Sequence, residues 1–99
     1  MSSVKSGNVL FDFSGRSVIV TGAARGIGFA LARHFAQAQA DVFMVDFDAD
    51  ELTTAALEIG AVGIPADVSK TDDVERVVQT VIAEKGRIDI LVNNAGILR

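Results

Sequence analysis

Four short apolar segments recur along the chain, and each is bounded by polar or glycine residues. They are SVIVT (17–21), DVFMVD (41–46), AVGIPAD (61–67) and IDILVNN (88–94). Runs of this length that are rich in β-branched residues are typical of strands in the interior of a protein. The pattern predicts four strands, of which the first is expected to be buried on both faces.

The segments between these strands carry apolar residues at helical spacing. A first helix is predicted from Ile27, and its expected apolar stripe is Ile27, Ala30, Leu31, Phe35 and Ala38. At the start of the second predicted helix, Asp48 followed by Glu51 resembles a capping box. This helix is predicted to run to about Glu58, before Gly60.

The third helix is predicted to be capped by Ser69 with Asp72 and to stop at Gly86. It has the clearest stripe in the chain, formed by Val74, Val77, Val78, Val81 and Ile82. Strands that alternate with helices imply a parallel sheet with right-handed crossover connections. The predicted fold class is therefore α/β, with a parallel sheet and flanking helices.

Composition excludes several classes of protein. The 99 residues are 49% hydrophobic and 22% charged, so the chain is able to bury a core. A net charge of −4 without basic runs argues against nucleic-acid binding. There is no cysteine, which excludes disulfides and thiolate zinc sites and suits a reducing compartment. No apolar stretch reaches the length of a membrane span, and a cytoplasmic location is expected.

The segment TGAARGIG (21–28) follows a predicted strand and opens a predicted helix. Gly22 allows a sharp turn, Gly26 allows a ligand to approach the backbone closely, and Gly28 allows tight packing of the helix on the sheet. The unpaired N–H groups at the start of the helix would then face a pyrophosphate. A glycine-rich turn that binds nothing is the alternative interpretation.

Asp46 ends the second predicted strand, where a carboxylate is able to accept hydrogen bonds from the hydroxyls of an adenosine ribose. Asp48, Asp50 and Glu51 lie close by in the sequence, and a 2′-phosphate would meet like charge there. This favours NAD over NADP. The alternative is a solvated acid at the start of a loop.

Four motifs in order resemble the N-terminal half of the short-chain dehydrogenase/reductase family. They are TGAARGIG, Asp46, ADVS (66–69) and NNAG (93–96), and the resemblance extends from about Phe11 to Arg99. It implies a Rossmann-like parallel sheet that is incomplete, with four strands in the order 3-2-1-4, and a dinucleotide-binding portion that spans residues 1–99 without the catalytic half. It also implies an NAD(P)-dependent oxidoreductase that acts on alcohols or ketones.

The resemblance also implies which residues contact the cofactor. The pyrophosphate and adenosine side would be lined by Gly22, Arg25, Gly26, Ile27 and Gly28. Asp46 would hold the ribose, with Phe47 against the adenine. Asp67 would accept a hydrogen bond from the adenine amino group beside the Val68 backbone, and the cofactor's ribose would be bordered by Asn93, Ala95 and Gly96. The alternatives are that Asp67 only begins a turn and that Asn93 and Asn94 only satisfy backbone groups.

Three residues complicate this picture. In the family, a basic residue at the position of Arg25 often accompanies NADP, although an arginine near the phosphates would help either cofactor. Gln39 occupies a position where the family often has a left-handed glycine, so a strain of about 1 kcal/mol or a different helix end is expected. His34, the sole histidine, is expected to be partly buried or at the rim of its helix stripe, the alternative being a catalytic role.

Enzymes of the family use Ser, Tyr and Lys downstream of NNAG, and this chain contains no tyrosine. The expectation is a cofactor-binding part that is inactive by itself, whose substrate side lies in an absent half. Segment 74–82 and the fourth strand are expected to expose apolar surface and to self-associate or pair with another chain. The alternatives are a non-catalytic interaction or regulatory module that pairs with full-length relatives, and a nucleotide-sensing half-domain.

Overall fold

The computed structural model describes residues 11–95, in which strands and helices alternate along the chain. The elements are β1 (Ser17–Thr21), α1 (Gly26–Gln37), β2 (Asp41–Asp46), α2 (Ala49–Ile59), β3 (Val62–Pro65), α3 (Thr71–Lys85) and β4 (Ile90–Asn93). The first two strands have the predicted bounds. The last two are shorter than predicted, because residues 61, 66–67, 88–89 and 94 make no ladder pairs with a neighbouring strand.

The four strands form one parallel sheet in the order β3-β2-β1-β4, which confirms the expected topology. In the register, Val18 of β1 pairs with Val42 on one side and with Ile90 on the other. Strand β1 is therefore central, and all five of its residues are buried, as the sequence predicted. All four strands point their carboxyl ends to the same edge of the sheet, and the loops that follow them meet there.

Alternate residues of the central strands pack on opposite faces of the sheet. One face brings Val18, Val20 and Met44 against α1 and α2, where Ala32 and Leu52 are buried. The other face brings a second apolar set against α3, made of Ile19, Phe43, Val45, Ile64, Val77 and Val81. The sheet is thus covered on both sides, which accounts for strands that are apolar throughout rather than alternating.

The helix ends follow the predicted glycines but only part of the predicted caps. Gly60 and Gly86 end α2 and α3 with φ of +70° and +81°. Asp48 caps α2 by accepting the N–H of Glu51, yet the reciprocal bond of a capping box is absent from this helix start, since the Asp48 N–H donates to Asp46. Lys70 rather than Ser69 precedes α3, because the Ser69 hydroxyl donates to Asp67 instead.

Two expectations for α1 are wrong and one is confirmed. Ile27 is 70% exposed, and the face that packs on the sheet is fixed by Gly28 and Ala32. His34 is exposed in the last turn, because the buried face of the helix lies elsewhere on its circumference. Gln39 follows the helix with φ +77°, the left-handed conformation expected at this position.

An apolar hollow of about 520 Å³ lies on the α3 side of the sheet. Segment 74–82 contributes Val74, Val77 and Val78 to it, and β4 contributes Leu91, whose exposed fraction is 60%. Within residues 11–95, β4 has no neighbouring strand on its outer side. The structure therefore shows the exposed apolar surface that the sequence predicted at this position.

Candidate functional site

The loop between β1 and α1 depends on its glycines for two different reasons. Gly22 and Gly26 have φ of +63° and +62°, a region that side chains rarely adopt. Gly28 has helical backbone angles, but a Cβ on it would lie 2.0 Å from the Gly22 carbonyl oxygen and 2.7 Å from Asn94 Nδ2. Gly28 thus allows close packing as predicted, although its tightest contact is with the loop itself.

Helix α1 begins at this loop with exposed backbone donors. Its N-cap residue, Arg25, makes no side-chain cap, and its first turn contains no acidic residue. By contrast, α2 has Asp50 and Glu51 in its first turn, and α3 has Asp72 and Asp73. The first N–H groups of a helix have no partner within the helix and carry partial positive charge. The start of α1 is therefore the helix end in residues 11–95 that is best suited to an anion.

Asp46 connects the glycine loop to the turn after β2. One of its carboxylate oxygens accepts the N–H of Ala24 at 3.0 Å, and the other accepts the N–H of Asp48 at 3.0 Å. The Ala23 N–H donates to the Val45 carbonyl at 3.2 Å, which ties the same loop to β2 a second time. These bonds fix the orientation of the carboxylate directly beside the glycine loop.

Arg25 reaches from the start of α1 to the first turn of α2. Its Nε donates to Glu51 Oε2 at 3.1 Å, its Nη2 contacts Glu51 Oε1, and Nη2 lies 3.5 Å from Asp48 Oδ2. The bonds to Glu51 raise the pKa of Arg25 above its ordinary value, with smaller contributions from Asp46 and Asp48. The guanidinium therefore lies beside the turn that follows Asp46.

The end of β4 supports the loop from the other side. The Asn94 amide donates to the Gly22 carbonyl at 3.1 Å. This bond satisfies a backbone group, which is one of the two interpretations of Asn93 and Asn94. The Thr21 hydroxyl donates to Asn93 Oδ1 at 3.1 Å and accepts the Ala95 N–H at 3.1 Å. The sequence predicts no role for Thr21, although its position directly before the first glycine of the loop was the available signal.

The remaining predicted residues lie along the same edge. Phe47 is 77% exposed after β2, and Val68, Asn93 and Ala95 line the apolar hollow. Asp67 begins a turn, since its carboxylate accepts both the hydroxyl and the N–H of Ser69, and these bonds lower the pKa of Asp67. Gly96 lies outside the described residues. None of the helices between residues 11 and 95 combines the length and hydropathy that crossing a bilayer requires.

Taken together, this edge of the sheet presents backbone N–H donors and a carboxylate of fixed orientation within one continuous surface. Gly22, Arg25, Gly26 and Gly28 surround the donors, and Asp46 lies next to them. Such an arrangement is able to bind an anionic group at the helix start and hydroxyl groups at the carboxylate. It also lies at the carboxyl ends of β1 and β2, where open α/β sheets bind ligands.

Comparison with known proteins agrees with this architecture. A family model described as short chain dehydrogenase matches residues 16–99. The 1-deoxy-11-beta-hydroxypentalenate dehydrogenase of Streptomyces exfoliatus is 44% identical over 88 residues, which cover 84% of this chain and 32% of that protein. The chain spans about a third of the length of such curated relatives.

Solved structures show the same fold. A short-chain dehydrogenase/reductase (glucose/ribitol dehydrogenase) from Brucella melitensis superposes with a TM-score of 0.81 at 34% identity, covering 84% of this chain and 37% of that one. A metagenomic short-chain oxidoreductase in complex with NADP gives a TM-score of 0.81 at 38% identity, covering 86% and 41%. The parallel sheet, the glycine loop and these matches place the chain in the short-chain dehydrogenase/reductase family of oxidoreductases.

Proposed function

We propose that this chain is the cofactor-binding part of an NAD(P)-dependent oxidoreductase that transfers hydride between the nicotinamide and an alcohol or ketone. The observation that carries the proposal is the pair of bonds from the Ala24 and Asp48 N–H groups to Asp46, which set a carboxylate against the glycine loop. When bound, the cofactor would accept the hydride from an alcohol or supply it to a ketone, whereas the protein supplies binding and orientation.

The residues fit a dinucleotide. A Cβ on Gly26 would meet nothing within 4 Å, so the loop is open on the side where a diphosphate would approach the start of α1. Asp46 would hold the adenosine ribose through its carboxylate oxygens, and the exposed ring of Phe47 would lie against the adenine. The other proposed contacts are Gly22, Arg25, Ile27, Gly28, Asp67, Val68, Asn93, Ala95 and Gly96.

NAD is the cofactor that the charges favour. Asp46 and Asp48 lie beside the proposed ribose position, and Arg25, a cation close to them, already pairs with Glu51. A 2′-phosphate there would add negative charge to a negatively charged surface. The metagenomic relative shows that the fold also accepts NADP. The preference for NAD in this chain therefore rests on its own acidic residues.

Turnover requires a proton donor near the substrate carbonyl in addition to the cofactor. The chain contains no tyrosine and covers about a third of its relatives' length. We propose that the acid/base residues and the substrate pocket belong to sequence outside these 99 residues, and that the chain alone binds the cofactor without turnover. An open reading frame that continues past Arg99 with a YxxxK motif would support this. A cytoplasmic location remains a prediction.

Titration calorimetry with NAD and NADP tests the proposal. The wild-type chain is expected to bind NAD more tightly than NADP. Asp46→Ala is expected to weaken NAD by roughly tenfold or more, because it removes a charged acceptor whose hydrogen bonds are worth about 1.5–3 kcal/mol. Asp41→Asn, at the opposite end of the same strand, is the matched control and should leave both affinities unchanged. Tighter binding of NADP by the wild type, or no effect of Asp46→Ala, would refute the cofactor assignment.

The apolar hollow favours a second candidate function, in which the chain pairs with a second copy of itself through segment 74–82 and β4. Val74, Val78, Ile82 and Leu91 are exposed there, and an open strand edge promotes pairing. Sedimentation velocity is expected to show a dimer that Leu91→Lys dissociates. A chain that stays monomeric at all concentrations would exclude this function without affecting the nucleotide proposal.

A further inference from the structure

Arg25 and Glu51 form a two-point contact between the starts of α1 and α2. Arg25 Nε donates to Glu51 Oε2 at 3.1 Å, and Nη2 contacts the other oxygen, Oε1. Each nitrogen faces its own oxygen, which is the bidentate geometry that makes an arginine–carboxylate pair stronger and more directional than a single contact. The side chains are 63% and 40% exposed, so solvent reaches the pair from outside.

The contact occupies the edge of the guanidinium that faces α2. Nη2 also lies 3.5 Å from Asp48 Oδ2, in the turn that begins at Asp46. Under the proposed function, this turn borders the adenosine ribose. Among residues 11–95, Arg25 is a cation in contact with that turn, and its donors already point at two carboxylates.

We propose that Glu51 is a specificity-determining positioning residue, which holds Arg25 against α2 and thereby denies it to a phosphate at the adenosine 2′ position. The inference rests on the proposed function, since it requires that adenosine binds beside Asp46. It explains how a chain with an arginine in the glycine loop discriminates against the 2′-phosphorylated cofactor. Arg25 neutralises Glu51 instead of the ligand, and the remaining charge of Asp46 and Asp48 repels the phosphate.

Removing Glu51 should release Arg25 and change the selectivity of the site. Because an exposed ion pair with good geometry contributes at the upper end of the range for surface pairs, about a three- to fivefold gain in affinity for a 2′-phosphorylated nucleotide is expected. Affinity for the nucleotide without that phosphate should change by less than about twofold, because Glu51 would contact neither its ribose nor its 5′-phosphate. A merely structural role would move both affinities together.

Calorimetry with adenosine 5′-monophosphate and adenosine 2′,5′-bisphosphate tests this in the full chain. The two probes differ only in the 2′-phosphate and need no contact with the nicotinamide. The variants are Glu51→Ala and Glu51→Gln, each in the wild-type and in the Arg25→Ala background. Asp50→Asn removes the same charge one residue earlier, with no contact to Arg25, and serves as the matched control. Circular dichroism establishes that each variant is folded.

The proposal is supported if Glu51→Ala raises affinity for the bisphosphate alone, Glu51→Gln gives a smaller rise, and both effects vanish without Arg25. An equal rise in the Arg25→Ala background would mean simple charge repulsion and would overturn it. A fall in bisphosphate affinity would show that Glu51 orients Arg25 towards the phosphate, which also overturns it. If Glu51→Ala leaves the ratio of the two nucleotide affinities unchanged, only this inference is refuted. If the wild-type chain binds neither nucleotide, the proposed function is refuted as well.

Discussion

Replacing Gly28 with alanine inserts one methyl group at the tightest contact of the glycine loop. Gly28 has helical backbone angles, so the substitution costs nothing in backbone conformation. The new Cβ would lie 2.0 Å from the Gly22 carbonyl oxygen, whereas ordinary contact begins at 3.4 Å. The loop carbonyl must therefore move by about 1.4 Å, the difference between these distances, and it carries the bond from Asn94.

The magnitude follows from three contributions. Insertion of a methyl group into a closely packed position costs about 1–3 kcal/mol, and we use the middle of that range. Loss of the Asn94 hydrogen bond adds about 1 kcal/mol. Alanine regains about 1 kcal/mol over glycine within a helix. Gly28→Ala should lower the free energy of unfolding by about 2 kcal/mol, which corresponds to a Tm lower by about 8–16 °C in a chain of this size.

Thermal unfolding followed by circular dichroism measures this change, and calorimetry with NAD measures the expected loss of binding. Gly60→Ala is the control, because Gly60 has φ +70° and a Cβ there meets nothing within 4 Å. Gly60→Ala should lower the free energy of unfolding by about 1 kcal/mol through backbone strain alone, and it should leave NAD binding unaffected. A Gly28→Ala variant that keeps the wild-type Tm, or one that unfolds earlier yet retains its NAD affinity, would contradict this prediction.

Two further predictions concern the framework around the site. Gln39→Gly should stabilise the chain by about 1 kcal/mol and raise Tm by about 4–8 °C, because it relieves the φ of +77° after α1; an unchanged Tm would contradict this. The Ser17 N–H, which donates to Asp89 at 2.8 Å, lowers the pKa of that carboxyl, and Arg87 and Arg16 lower it further. The stabilisation from Asp89 is therefore complete above the ordinary pKa of about 4 and disappears as the pH falls through the lowered value. In urea denaturation, the stability difference between wild type and Asp89→Asn should be constant above about pH 5 and shrink below about pH 4; a gap independent of pH would refute it.

The sequence predicted those parts of the fold that local patterns determine. The apolar runs predicted strands β1 and β2. The ends of α2 and α3 were predictable because glycine, at positions 60 and 86, tolerates left-handed backbone angles. The start of α3 could not be predicted from Ser69, because its hydroxyl had a competing partner two residues earlier in Asp67. Exposure of Ile27 and His34 depends on how α1 is rotated against the sheet, which its tightest contact at Gly28 determines.

For the site, the types of the functional residues could be predicted from the sequence, but their hydrogen-bond partners could not. Asp46 was recognisable because it ends an apolar run. Its bond to the Ala24 N–H, by contrast, depends on where the glycine loop lies along β2. The contact between Arg25 and Glu51 joins residues 26 positions apart in the chain and requires both helix starts to be placed first. Such contacts arise from sheet register, which no local pattern in this sequence specifies.

The bond from Asn94 to Gly22 has a consequence for the order of folding. It joins positions 72 residues apart, as does the bond from Thr21 to Asn93. Closing so long a segment carries a greater entropic cost than forming the neighbouring βα contacts, so we expect docking of β4 to be the late event. During refolding, the glycine loop is then expected to reach its final shape only at that step. Added nucleotide should therefore slow unfolding of the finished domain without accelerating the phases that precede β4.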